Sequence, residues 1–340
     1  MGYKVLITEK VDDVGPGLLK EQGYELVYGT GPDEETLIRE CADCDGALTR
    51  NGKFTARVYD ACPKLKVVAM HGVGVDGIDV EEATARGIQI CNAGESNQNS
   101  VAEYAIGLIL MLAKRTITYN SGTKGNEMNV VRKIYGNDVN GKILGIIGMG
   151  KIGTRVARMA NGLGMKVLGY SRRISKREKT DYGWLTPDME EVISRADFLS
   201  LHLPGNSTTN RILNEERMRL MKPTAFLINT GRGEVIDEAC LIRMLQEGRL
   251  QGAALDVFEG NLPSPDNPLL KMDNVIATPH TAAFTKEALE RMSYQAALGI
   301  VEVLEKRPVT FAVNRLEGSV SDDETLKEVM RVFKHEFNYK

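Results

Sequence analysis

Residues 143–173 read ILGIIGMGKIGTRVARMANGLGMKVLGYSRR, and this stretch decides the fold. Ile143–Ile147 is a short apolar run of the kind that forms a strand buried on both faces of a parallel sheet. Gly148-Met149-Gly150-Lys151-Ile152-Gly153 follows, then apolar residues at helical spacing (Ile152, Val156, Met159, Leu163), then a second apolar run at 165–170. Strand, glycine turn, helix and strand within about thirty residues make a βαβ unit. Each glycine has its own task. The first permits the tight turn, the second lets backbone approach a pyrophosphate, and the third lets helix and strand pack closely. The helix start at Lys151 and Ile152 presents free N–H groups and a positive dipole end to phosphates. Gly148, Gly150, Lys151, Ile152 and Gly153 are therefore read as a dinucleotide-binding loop.

Working outward, strand and helix alternate on both sides. Strands are expected at 3–8, 24–28, 46–49, 66–70 and 88–90, with a helix at 12–22 and another opening at Pro32-Asp33-Glu34-Glu35, where acids suit the helix dipole. From Ser96 a long helix runs, apolar over most of its faces and so deeply packed. A polar segment, 120–140, leads into the glycine loop. Downstream, strands are expected at 197–203, 225–229, 252–257 and 274–277, and helices at 214–221, 238–247 and 293–306. A last helix is expected after Ser321, where Ser321-Asp322-Asp323-Glu324 forms a capping box. Its apolar stripe (Leu326, Val329, Met330, Phe333, Phe337) is read as packing on its own chain or a twin subunit. At 340 residues, two domains are the default. The alternation predicts an α/β fold with parallel sheets.

A net charge of −3 and the absence of a basic stripe argue against nucleic acid as a partner. The densest basic cluster, Arg172-Arg173 with Lys176 and Arg177, sits beside the glycine unit and implies a local anion. Five cysteines, an odd number scattered along the chain, suit reduced thiols in a cytoplasm. Cys41-Ala-Asp-Cys44 has no second pair to complete a zinc site and is read as structural, so no metal is expected. The chain opens directly on a strand, without the basic and apolar regions of a signal peptide. Its longest apolar stretch, 104–113, is about half a membrane span. The expectation is a soluble, cytoplasmic protein with no membrane partner.

The end of the second strand of the βαβ unit speaks to the cofactor. NAD is normally held there by an Asp or Glu that accepts hydrogen bonds from the ribose hydroxyls. Here Ser171 stands in that place, and Arg172 and Arg173 follow. A carboxylate would repel a 2′-phosphate, whereas Ser and Arg hydrogen-bond and neutralise it. NADP(H) is the expected cofactor. The open alternative is NAD(H), with the arginines on a solvated loop.

The acid–base candidates are few, since the chain has four histidines. His280 follows Thr278-Pro279 at a strand end, where parallel sheets bind ligands. Arg232, in Asn229-Thr230-Gly231-Arg232-Gly233, also follows a strand and can take a carboxylate in bidentate fashion. Each also has a plain structural reading, as a satisfied loop histidine and a salt-bridged arginine. LINTGRGEVIDEACLIRMLQEGRLQGAALDVFE and IATPHTAAFT resemble the D-specific 2-hydroxyacid dehydrogenases. The resemblance runs from HGVGVDGIDVEEATARGI through NSVAEYAIGLIL and GIIGMGKIG to His280, nearly the whole chain.

The resemblance implies two Rossmann- or flavodoxin-like domains with the active site in the cleft between them. Residues 1–98 with 290–340 would bind substrate, and 99–289 the dinucleotide; a homodimer through the cofactor domain is also implied. Arg232 would hold the carboxylate of a small 2-keto or 2-hydroxy acid and polarise its carbonyl. His280 would give the proton to the carbonyl oxygen. Asp256 would contact the nicotinamide carboxamide, and His202, Pro204 and Thr230 would line the cofactor. Gly72, Val73 and Gly74 would offer backbone N–H groups to the substrate.

One departure stands out. The family usually carries Glu where this sequence has Asn261. An amide can orient the imidazole of His280 but cannot stabilise its protonated form by charge. The expectation is a His280 that titrates lower than usual for the family, unless a carboxylate such as Glu259 takes the missing place. Arg50 matches an arginine that phosphoglycerate dehydrogenases use near the substrate phosphate, but Met70 stands where they carry a second. With no regulatory domain read after residue 340, a short acid such as glyoxylate or hydroxypyruvate is favoured. A second reading comes from the C-terminal binding protein corepressors, which resemble the same family and sense nucleotides with little turnover.

Overall fold

The computed structural model of the chain describes residues 2–316; the helix expected after Ser321 lies outside them. The chain divides into two compact units, one running to Asn97 and resuming at Thr285, the other Gln98–Phe284.

In the first unit, β1 (Lys4–Ile7), β2 (Glu25–Tyr28), β3 (Gly46–Thr49), β4 (Val67–Met70) and β5 (Gln89–Cys91) form one sheet in the order β2-β1-β3-β4-β5. Every pairing is parallel, which is the flavodoxin-like order. Side chains alternate across the sheet. Val5, Ile7, Val67 and Ala69 pack with Leu19 and Ile300 on one face, while Leu6, Ala47 and Val68 pack with Leu37 and Phe54 on the other. Burial on both faces is why these strands read as unbroken apolar runs.

The helix Lys286–Leu304 completes this unit and begins seven residues before the start expected at 293. The Thr285 hydroxyl caps it, accepting from the Ala288 N–H at 3.1 Å. Arg291 masks the early apolar pattern, yet it is buried, its Nε donating to the Ser96 carbonyl at 2.8 Å. The break between units therefore falls before this helix, and a boundary at 289/290 would lie within it.

The second unit holds β6 (Ile143–Ile147), β7 (Lys166–Tyr170), β8 (Glu178–Thr180), β9 (Gly183–Thr186), β10 (Phe198–Leu201), β11 (Phe226–Asn229), β12 (Gly252–Leu255) and β13 (Val275–Ala277). Their order is β13-β12-β11-β10-β6-β7-β9-β8. All pairings are parallel except β8 with β9. The order reverses direction at β6, so the ligand crevice of this doubly wound sheet lies where β6 and β10 end. Helices Gln98–Ala113 and Lys151–Gly162 cover one face, with Ala102, Ala105, Ile109, Val156, Ala157 and Ala160 in a common core. Phe198 and Phe226 stack there with centroids 5.2 Å apart, and burying each ring contributes about 2–3 kcal/mol.

Several features of this unit are absent from the sequence reading, among them β9 and the helix Met189–Arg195. The 120–140 segment carries part of a helix, Thr116–Lys124, and a short one, Met128–Val131. The antiparallel β8 is three polar residues long and so has no apolar alternation to reveal it. Among the described residues, no helix is long and apolar enough to cross a membrane. No group of three His, Cys, Asp or Glu could hold a metal ion there, and all five cysteines are buried and free.

Candidate active site

The strands of the second unit end in register. Tyr170 pairs with Ile147, Ile147 with Leu201, Leu201 with Asn229, Asn229 with Leu255 and Leu255 with Ala277. The residues one step further, Ser171, Gly148, His202, Thr230, Asp256 and Thr278, thus line the carboxyl edge of the sheet side by side. Most of the sequence-predicted residues of this unit stand on that edge or within a few residues of it.

At β6 the three glycines meet three different surroundings. Gly148 has φ +103°, and a Cβ there would lie 2.4 Å from the His202 carbonyl oxygen. A Cβ on Gly153 would lie 2.2 Å from the Gly148 carbonyl oxygen, so the helix packs on the turn at backbone distance. Gly150 faces open space, with nothing within 4 Å of its Cβ position. The helices that begin after Asp188, Asn214 and Asp237 each have a side chain accepting from the N–H three residues on, a cap worth about 1 kcal/mol. Helix Lys151–Gly162, beginning after Gly150, has no such side-chain cap. A helix start without a side-chain cap is the arrangement that suits a ligand oxygen.

Two buried polar atoms beside this loop have no hydrogen-bond partner, Nδ1 of His202 and Oγ1 of Thr230. The other ring nitrogen of His202 lies 2.9 Å from the Ser200 hydroxyl, and burial pushes the imidazole down to about 4, so it is neutral at pH 7. Pro204 is exposed, its carbonyl accepting from the Thr209 hydroxyl at 2.6 Å. An open glycine cradle, an uncapped helix start and orphaned polar atoms together fit a dinucleotide. At the end of β7, the Ser171 hydroxyl accepts from the Arg173 N–H at 3.3 Å. Arg172 and Arg173 are exposed and, among the described residues, neither has a carboxylate within ion-pairing distance. Arg177 is used elsewhere, pairing with Glu191 at 3.2 Å and lying over the Trp184 ring.

Arg232 sits on a turn shaped by Asn229, which is fully buried. The Asn229 amide donates to the Arg232 carbonyl at 2.9 Å and accepts from the Gly231 N–H at 3.0 Å. The Arg232 Nη1 donates to the Gly231 carbonyl at 2.9 Å. Gly233 is obligatory, since a Cβ there would fall 1.8 Å from the Phe258 carbonyl oxygen. Sequence reasoning passed over Asn229, although a polar residue ending an apolar strand was the available signal.

His280 is held at two points. Its Nδ1–H donates to Asn261 Oδ1 at 2.5 Å. The loop that carries it is gripped by Asp256, a fully buried carboxylate. Asp256 accepts from the Thr278 hydroxyl at 2.6 Å, the Thr281 N–H at 2.9 Å and the Ala282 N–H at 2.8 Å. Both Asn261 (φ +81°) and His280 (φ +54°) have left-handed backbones, which non-glycine residues rarely adopt outside functional or strained sites. Asn tolerates that conformation better than Glu. Glu259 does not take the missing carboxylate's place: it pairs with Arg211 at 3.1 Å.

A profile of the D-isomer specific 2-hydroxyacid dehydrogenases, NAD binding domain, matches residues 106–282. The chain is 35% identical over 308 residues to a glyoxylate reductase of Korarchaeum cryptofilum, covering 88% of this chain and 92% of that one. The chain belongs to this family. It is also 40% identical over 303 residues to a D-3-phosphoglycerate dehydrogenase of Methanocaldococcus jannaschii, across 88% of this chain but only 57% of that relative. The chain thus spans little more than half the length of such relatives. Among solved structures it resembles an NADPH-dependent glyoxylate/hydroxypyruvate reductase of Sinorhizobium meliloti, in complex with NADP and malonate. That likeness has a TM-score of 0.83 and 28% identity, over 95% of this chain and 99% of that one.

In this dehydrogenase-family chain the remaining predicted residues lie on the first unit. Arg50 and His71 stand one step beyond the paired residues Thr49 and Met70. The Arg50 and Asn51 N–H groups donate to the Glu9 carboxylate at 3.2 and 2.8 Å. The N–H groups that follow β3 are thus taken by the chain's own anion. Of the three N–H groups expected at Gly72, Val73 and Gly74, that of Gly72 is already donated to the Met70 carbonyl at 2.9 Å. This tight local turn removes Gly72 as a donor. Val73 and Gly74 keep theirs, and the Val73 carbonyl accepts from the Asn92 amide at 2.8 Å.

Proposed function

We propose that the chain is an NADP(H)-preferring reductase of small 2-keto acids, acting reversibly on the D-2-hydroxy acids. The observation that carries this reading is the 2.5 Å contact of His280 Nδ1 with Asn261, on a loop clamped by Asp256. It leaves an imidazole with one fixed nitrogen and one working nitrogen at the carboxyl edge of a dinucleotide-type sheet. A bound nicotinamide cofactor supplies the hydride. Arg232 holds the substrate carboxylate, two charge-assisted hydrogen bonds fixing the plane of the acid. His280 gives its Nε2 proton to the carbonyl oxygen as negative charge develops there, and takes it back in the oxidative direction. Asn261 keeps the ring in one orientation without adding charge.

Cofactor preference rests on the end of β7. No carboxylate follows Tyr170 there, and Ser171, Arg172 and Arg173 offer a hydroxyl and two cations to a 2′-phosphate. Among 2-keto acids, Met70 in place of a second cation favours glyoxylate or hydroxypyruvate over a phosphorylated acid. The test is NADPH and NADH oxidation against a panel of 2-keto acids, with Arg232→Ala alongside. Turnover with NADPH is expected, and Arg232→Ala should lower kcat/KM by about a hundredfold or more. Nucleotide binding without turnover of any acid would decide for a nucleotide-sensing protein instead.

A further inference from the structure

Ser200 lies on β10 and is fully buried. It pairs with Ile146 of β6 and Ile228 of β11, so its side chain shares a face with theirs. Both isoleucines belong to an apolar core. A hydroxyl placed there has one hydrogen-bond partner among the described residues, the imidazole Nε2 of His202 at 2.9 Å. That contact can be made in two ways. If Nε2–H donates to Ser200, the serine's own hydrogen is left buried without an acceptor, which is the costly arrangement. If the Ser200 O–H donates to Nε2, both groups are satisfied and the neutral imidazole carries its hydrogen on Nδ1. Nδ1 is the buried ring atom that has no partner. In the second arrangement it is an N–H, and what it lacks is an acceptor oxygen.

On the carboxyl edge of the sheet, His202 and Ser171 stand on opposite sides of Gly148, because β10 and β7 flank β6. A 2′-phosphate belongs to the adenosine half of a dinucleotide, and the glycine turn takes the pyrophosphate. His202 therefore stands toward the nicotinamide half. Resting on the dinucleotide reading above, we infer that Ser200 is a positioning residue: it fixes the Nδ1–H form of His202, which donates to an oxygen of that half of the cofactor. A hydroxyl or carbonyl oxygen suits this donor. NADPH and NADH are identical there, so the contact adds affinity for both and selects neither.

The experiment uses the full chain without substrate. Nitrogen NMR of isotope-labelled histidines near neutral pH distinguishes a bare ring nitrogen from a protonated one, and the His202 signals are those lost in His202→Gln. The wild type should show Nδ1 protonated and Nε2 bare. Ser200→Ala removes the donor, so the hydrogen should distribute over both nitrogens. The Kd of NADPH and NADH, read by nucleotide fluorescence, should rise alike by about three- to tenfold. Ser200→Thr, which keeps a hydroxyl on the same carbon, should return the Nδ1–H form and most of the affinity. The wild-type spectrum needs no variant of Ser200, so it decides the matter even if Ser200→Ala fails to fold. A wild-type His202 with its hydrogen on Nε2 overturns the inference. So does a Ser200→Ala that leaves either the tautomer or the nucleotide affinity where the wild type has it. Failure of the wild type to bind either nucleotide overturns the dinucleotide reading itself, which is a separate result.

Discussion

Asp256 and Asn261 both act on His280, and they do so with opposite chemistry. Asp256 is a fully buried carboxylate whose oxygens are surrounded by fixed N–H and O–H donors from Thr278, Thr281 and Ala282. Asn261 is exposed and neutral, and it touches the ring itself. The charge is thus placed where it holds the loop, and kept off the imidazole ring. Ser171 is a second place where this chain presents a neutral oxygen in a position that commonly carries a carboxylate. On this edge the carboxylate of Asp256 is buried in the loop, and positions 171 and 261 are uncharged.

The comparison breaks first at Asp256. Asp256→Asn turns one acceptor into an N–H group facing N–H donors, and should cost about 2–4 kcal/mol of stability. It should also lower kcat by loosening the loop. Urea unfolding and steady-state kinetics on the same preparation check this; unchanged stability would mean that the carboxylate is not what holds residues 278–282.

At Ser171 the comparison is sharpened by restoring a charge. Ser171→Asp should move the NADPH-to-NADH ratio of kcat/KM toward NADH by about tenfold or more, since each 1.4 kcal/mol of repulsion at the 2′-phosphate is a factor of ten. A ratio that stays put would make Arg172 and Arg173 a solvated loop.

Much of this was legible in the sequence, for physical reasons. Strands buried on both faces write themselves as continuous apolar runs, and the glycine spacing at 148–153 is dictated by contacts of 2.2–2.4 Å that no side chain could survive. Arg232 and His280 stood out only as a cation and an imidazole after strands, each with a plain structural reading beside it, and it was the family resemblance that singled them out. What the sequence hid is long-range or conformational. That Asp256 clamps the loop of His280 depends on two strands lying side by side, and the left-handed backbone at Asn261 and His280 follows from closure of their turns. Arg291 looked like a surface residue and is buried against the Ser96 carbonyl. Glu9 gave no local signal at all, because its partners Arg50 and Asn51 come from another strand's loop.

The most direct test of the account is the pH dependence of kcat/KM for 2-keto acid reduction, measured in the wild type and in Asn261→Asp. Aspartate is isosteric with asparagine and tolerates the left-handed backbone, so it adds charge with little else. Reduction needs His280 protonated, so the rate is high below its pKa and falls as pH rises through it. A carboxylate on Nδ1–H stabilises the imidazolium and raises that pKa. The falling limb should therefore move to higher pH in Asn261→Asp, by about one unit. Superimposable profiles would contradict the assignment of His280 as the proton donor governed by residue 261.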